Sequence, residues 1–128
     1  MRHITNFRKV ESFMKTFGQT VRDKPFMPDL RTQKLRYELI EEELEELRMA
    51  MATCDIVDVA DALTDLLYVV YGAGHAYGLD LDICFNHIHD SNMSKLGPEG
   101  KPIYREDGKV LKGPGYWEPR LTEVVDGL

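Results

Sequence analysis

The sequence predicts an all-α fold: an antiparallel bundle of about four helices, followed by an irregular C-terminal loop or hairpin. Three observations predict it. Apolar residues recur at helical spacing along the first three quarters of the chain. Two acidic segments, LIEEELEEL from Leu39 to Leu47 and DIVDVADALTDLL from Asp55 to Leu67, both read as helices and are joined by a short connection. No alternating strand pattern competes with these helices before residue 100.

At 128 residues the chain reads as one domain, 1–128, with a helical core over about 4–95 and a C-terminal loop segment over about 97–128. In the first helix Ile4, Phe7, Val10, Phe13, Met14 and Phe17 share one face that should be buried, and Gly18 is the stop. A loop from Gln19 to Asp29 is broken by Pro25 and Pro28. The second helix starts near Asp29 or Thr32 and runs to about Ala52. The third starts at Thr53 or Asp55 and ends near Gly72 to Gly78, where Gly72, Gly74 and Gly78 loosen it. The fourth starts around Asp80 or Asp82 and reaches about Lys95. From Gly97 onward glycine and proline punctuate a run that is still too apolar, at Ile103, Tyr104, Val110, Leu111, Tyr116 and Trp117, to be a floppy tail. A small hairpin turning at Asp107-Gly108 is expected there.

Composition excludes several functions. A net charge of −6 argues against broad binding to nucleic acid polymers or anionic membranes. It leaves nucleotides open, because bound cations reverse the local sign of a carboxylate site. The longest apolar run, Leu66 to Tyr71, is too short to span a bilayer, and no signal peptide is visible. Two cysteines, Cys54 and Cys84, lack metal-type spacing and suit reduced thiols, hence a cytoplasmic location.

The chemistry lies in the acidic faces. With Leu35 at zero on a helical wheel, Leu39, Ile40, Leu44, Leu47 and Met51 fill an arc of roughly 0–180°. Glu38, Glu41 and Glu45 fall at roughly 240–300°, the solvated side. Glu43 lands near 80°, inside the apolar arc, with Glu42 and Glu46 at its edge near 340° and 20°. On the third helix Asp58, Asp61 and Asp65 form one narrow stripe, and most of the remaining circumference is apolar. Such a helix should be buried, with its stripe facing an internal cleft and not open water. Clustered carboxylates repel and need a positive partner. No Lys or Arg occurs between Arg48 and Lys95. A hard divalent cation is the natural answer, Mg²⁺ where phosphate is the substrate, with Mn²⁺ as a substitute. The blander readings are a solvated helix face for the glutamates and a helix-start cap for Asp55 and Asp58.

These residues resemble a known family. E-x-x-E, a gap, then E-x-x-D on consecutive helices is similar to the all-α nucleoside triphosphate pyrophosphatases, the MazG-like, dimeric dUTPase-like and phosphoribosyl-ATP pyrophosphohydrolase-like proteins. Here the halves are Glu43-x-x-Glu46, preceded by Glu42, and Asp58-x-x-Asp61. ADALTDLLYVVYGAGHAYGLD and HDSNMSKLGPEGKPIYREDGKVLKGPGY look like the compact branch of bacteria and phages. Asp58 departs from the pattern, standing one methylene short of the usual glutamate.

The resemblance implies a bundle completed in a homodimer or homotetramer, and hydrolysis of a (d)NTP between the α and β phosphates to (d)NMP and pyrophosphate, of a (d)GTP or dUTP type. Glu42, Glu43, Glu46, Asp58 and Asp61 would hold Mg²⁺. Glu43 or Glu46 would activate water, and Asp65 would stand behind the ligands. Lys95, Lys109 and Lys112 would supply cations to the phosphates, with Asn92 and Gln19 toward sugar or base. The competing reading is a non-catalytic acidic four-helix module that binds metal or a basic partner. A di-iron bundle would want Glu-x-x-His, and no such pair occurs.

Overall fold

The helix boundaries follow from caps. The structure, a computed structural model, describes residues 4–127; the first three residues and Leu128 of the 1–128 expectation lie outside it. α1 spans Asn6–Thr16, with Thr5 accepting from the Arg8 N–H at 3.2 Å. It ends at Gly18, which takes φ +73°, while the Gln19 N–H reaches the Met14 carbonyl at 2.8 Å. That is the left-handed glycine stop the sequence predicts. α2 spans Leu30–Ala52, and its cap is Asp29, accepting from the Thr32 N–H at 2.8 Å. α3 spans Ile56–Ala76, and its cap is Asp55, accepting from the Val57 and Asp58 N–H groups at 3.0 and 3.2 Å.

α2 and α3 form the central hairpin. Only Thr53, Cys54 and Asp55 join them, so the helices run antiparallel. α1 packs on α3. Phe7 stacks on His75 at 3.8 Å between ring centroids, and His75 Nε2 sits 2.8 Å from the Phe7 carbonyl. The 19–29 loop is pinned to the end of α3: the Arg22 N–H donates to His75 O and the Phe26 N–H to Tyr77 O. Gly78 permits this approach, since a Cβ there would stand 2.0 Å from the Lys24 carbonyl oxygen.

The chain falls into two compact units, one ending at Leu81 and one beginning at Asp82. α4, Leu81–Met93, belongs to the second unit from Asp82 onward and gives way to a chain stitched onto its end. Buried Ser91 donates its hydroxyl to the Trp117 carbonyl at 2.8 Å, and the Gly113 N–H donates to Lys95 O at 2.8 Å. The expected hairpin is present: Tyr104 and Val110 bridge, and Gly108 turns at φ +88°. A short α5, Leu121–Asp126, stands where the sequence suggested only loop. Among the described residues there are five α-helices and one 3₁₀ turn at Pro98–Gly100. None of the helices is long and apolar enough to cross a membrane.

Two burial expectations are corrected. On α1 only Phe7, Val10 and Met14 are buried, whereas Ile4, Phe13 and Phe17 are exposed. α3 is not buried on most sides. Ile56, Leu63, Leu67 and Val70 form an exposed stripe, because the α2 hairpin partner covers only one side of it. Leu35, Leu44 and Met51 on α2 are likewise exposed.

Candidate active site

The C-terminal half of α2 and the N-terminal half of α3 face each other across a cleft of about 540 Å³. From α2 come Glu42, Glu43 and Glu46; from α3 come Asp58, Asp61 and Asp65. Ala50 and Ala62, both buried, separate the two rows. Their small side chains leave the space that the carboxylates border. Among the described residues no lysine or arginine lines this cleft.

The outward glutamates behave differently. Glu45 accepts from Arg48 Nε at 3.0 Å, which holds its carboxyl below the usual range. Glu38 lies 3.8 Å from Lys34. Among the described residues none of the six cleft carboxylates makes an ion pair. Glu43 is the one that is half-buried, and its carboxyl is pushed above the usual range. Burial is the largest cause, followed by repulsion from Asp65, Glu46, Asp61 and Glu42.

The other five carboxylates are exposed, so the stripe faces a cleft open to water and not a closed interior. That corrects the expectation from the wheel. It has the same cause as the exposed stripe on α3: two helices border the cleft without enclosing it. Among the described residues no three of these groups already converge as a metal cage. The donor set nevertheless fits a hard cation, being all carboxylate oxygen on mobile side chains.

Asp58 also resolves into one role. Asp55 does the capping, and Asp58 contributes to the cap only its backbone N–H while its side chain borders the cleft. Asp65, which the sequence placed behind the ligands, borders the cleft with them. The regular spacing of Asp58, Asp61 and Asp65 along one stripe was the signal for it.

The remaining predicted residues lie elsewhere. Gln19 borders a separate cavity with Arg22 and Arg36. Asn92, Lys95, Lys109 and Lys112 belong to the second unit. Lys95 is half-buried where Gly113 meets its carbonyl, Lys112 stands 4.7 Å over the Tyr116 ring, and Asn92 and Lys109 are exposed. Arg36 escaped the sequence reading, although at roughly 100° on the same wheel it falls inside the apolar arc.

The sequence model of the phosphoribosyl-ATP pyrophosphohydrolase family matches residues 10–92, which include both acidic rows. The chain belongs to this family. The uncharacterized protein L479 of Acanthamoeba polyphaga mimivirus is 34% identical over 112 residues, covering 84% of this chain. This chain spans only 42% of that protein's length. A crystal structure from Exiguobacterium sp. 255-15, provisionally described as an NTP pyrophosphohydrolase, is 24% identical, with a TM-score of 0.48. The similarity covers 94% of this chain and 92% of that one.

Proposed function

We propose that the chain is a Mg²⁺-dependent nucleoside triphosphate pyrophosphohydrolase that cleaves between the α and β phosphates, giving a nucleoside monophosphate and pyrophosphate. One observation carries the reading: six carboxylates border one cleft that, among the described residues, no lysine or arginine lines, in a chain of this family. Glu42, Glu43, Glu46, Asp58 and Asp61 would hold the metal, with Asp65 beside them; Mn²⁺ would substitute. The bound ion supplies charge neutralisation to the phosphates. Glu43 or Glu46 orients and deprotonates the attacking water. Lys95, Lys109 and Lys112 would supply cations to the phosphates, and Asn92 and Gln19 would bond sugar or base.

The exposed stripe of Ile56, Leu63, Leu67 and Val70 supports a homodimer or homotetramer, since contiguous apolar patches mark interfaces. Sedimentation of the full chain checks this; a monomer at micromolar concentration contradicts it.

Pyrophosphate release from a panel of NTPs and dNTPs tests the activity. Mg²⁺-dependent release is expected from at least one member. Absence of release from every member overturns the reading, and saturable metal binding without hydrolysis would leave a metal-binding module.

A further inference from the structure

The N-terminal half of α2 borders a second cavity, of about 490 Å³. Its walls include Gln19, Thr20 and Arg22 from the loop after α1, and Thr32, Leu35 and Arg36 from α2. Among the described residues no carboxylate lines it. Arg36 and Glu43 are seven residues apart, close to two turns. They therefore share a face of α2, about 10 Å apart along its axis. Cationic cavity and acidic cleft thus lie along one side of one helix.

Arg36 is the unusual residue. Its Nε is buried without a hydrogen-bond partner, and among the described residues the side chain has no ion pair. Burial alone shifts its guanidinium, downward, with no carboxylate to oppose it. Gly72, near the end of α3, lies against it: a Cβ there would stand 2.8 Å from Arg36 Nη1. Arg22 adds a second guanidinium, held 4.1 Å over the Phe26 ring.

A guanidinium only donates hydrogen bonds. Its complement is an acceptor-only group, and Leu35 and Leu39 offer a flat apolar face beside it. We propose that this cavity is the base subsite of the nucleotide held at the acidic cleft, and that Arg36 selects bases with an oxo group at purine C6 or pyrimidine C4. Guanine and uracil then bind better than adenine and cytosine, which carry at that position an amino group that would meet a donor. The inference rests on the nucleotide reading above. A free phosphate would satisfy the same guanidinium, so the test separates the two.

Equilibrium dialysis in EDTA measures binding of GMP, UMP, AMP, CMP and inorganic phosphate to the full chain, for wild type, Arg36→Met and Arg36→Lys. Thermal melts confirm that each variant is folded. Wild type is expected to bind GMP and UMP about tenfold or more tightly than AMP and CMP. Arg36→Met abolishes that preference and leaves AMP and CMP within about twofold. Arg36→Lys keeps the charge but loses the fork, so the preference shrinks. Equal weakening of all four monophosphates, or phosphate competing with all of them through Arg36, overturns the proposal in favour of an anion site. Lack of any base preference in wild type also overturns it. Parallel kcat and KM values on the four triphosphates keep the two readings apart. Base-selective binding without hydrolysis sinks the activity and spares the subsite; hydrolysis without base selectivity does the reverse.

Discussion

The two faces of α2 carry the same residue type in opposite circumstances. On the outer face Glu38 and Glu45 stand beside Lys34 and Arg48. On the inner face Glu42, Glu43 and Glu46 border a cleft whose other charged lining residues, among the described residues, are carboxylates of α3. The helix places a cation at i−4 for Glu38 and at i+3 for Glu45, spacings at which side chains touch, though none for Glu41. It supplies none for the inner ones. Charge that a fold leaves uncompensated in a cleft is destabilising in the bare protein, and a ligand of opposite sign can reverse that. Composition alone cannot separate the faces; the angle on the wheel can.

The largest expected effect is on activity. Glu43→Gln or Asp61→Asn should lower kcat/KM for the preferred triphosphate by about a hundredfold or more. Glu38→Gln and Glu45→Gln should change it by less than about twofold. A similar loss from either outer variant would remove the distinction between the faces.

Stability should invert the order. In EDTA, Glu43→Gln relieves repulsion, and its melting temperature should rise by about 2 °C. In excess Mg²⁺ wild type should gain more than the variant, because metal that binds only the folded chain stabilises it by mass action. Calorimetric scans with and without metal check this; a variant less stable than wild type in EDTA contradicts it.

At the start of α3 the same contrast separates Asp55 from Asp58. Asp55→Ala should cost about 1 kcal/mol through the lost cap, with little change for Asp55→Asn. Asp58→Asn should leave stability nearly unchanged and lower activity. Denaturant melts and rates on the same preparations read both.

The smallest effect is in titration of the metal-free chain. Glu45 should titrate below the ordinary glutamate range and Glu43 above it. For Glu45 the folded form holds its proton less tightly, so its contribution is present above the unfolded value and lost as pH falls. For Glu43 the folded form binds the proton more tightly, so stability from this group falls as pH rises through its raised value. Carboxyl carbon shifts across pH 3–7 resolve the two, and titration in the opposite order contradicts the assignment.

Much of this was legible beforehand, for local reasons. Asp29, Asp55, Gly18 and Gly78 announce helix ends because each satisfies or releases specific backbone groups. The acidic rows were legible because angular position is fixed by the helix. What escaped was non-local. The wheel makes Leu63 and Leu67 apolar but cannot say whether the same chain covers them, and it does not. α5 escaped because Leu121–Asp126 is too short for a periodic signal. Arg36 escaped because its setting depends on Gly72 of another helix. Its angle could have flagged it as readily as that of Glu43.

Calorimetric titration of Mn²⁺ into metal-free protein tests the central claim most directly. Wild type and the outer-face double variant Glu38→Gln/Glu45→Gln should bind saturably and alike, while the inner-face double variant Glu43→Gln/Asp61→Asn should show no saturable binding. Undiminished binding by the inner-face variant would contradict the assignment of the cleft carboxylates as the metal site.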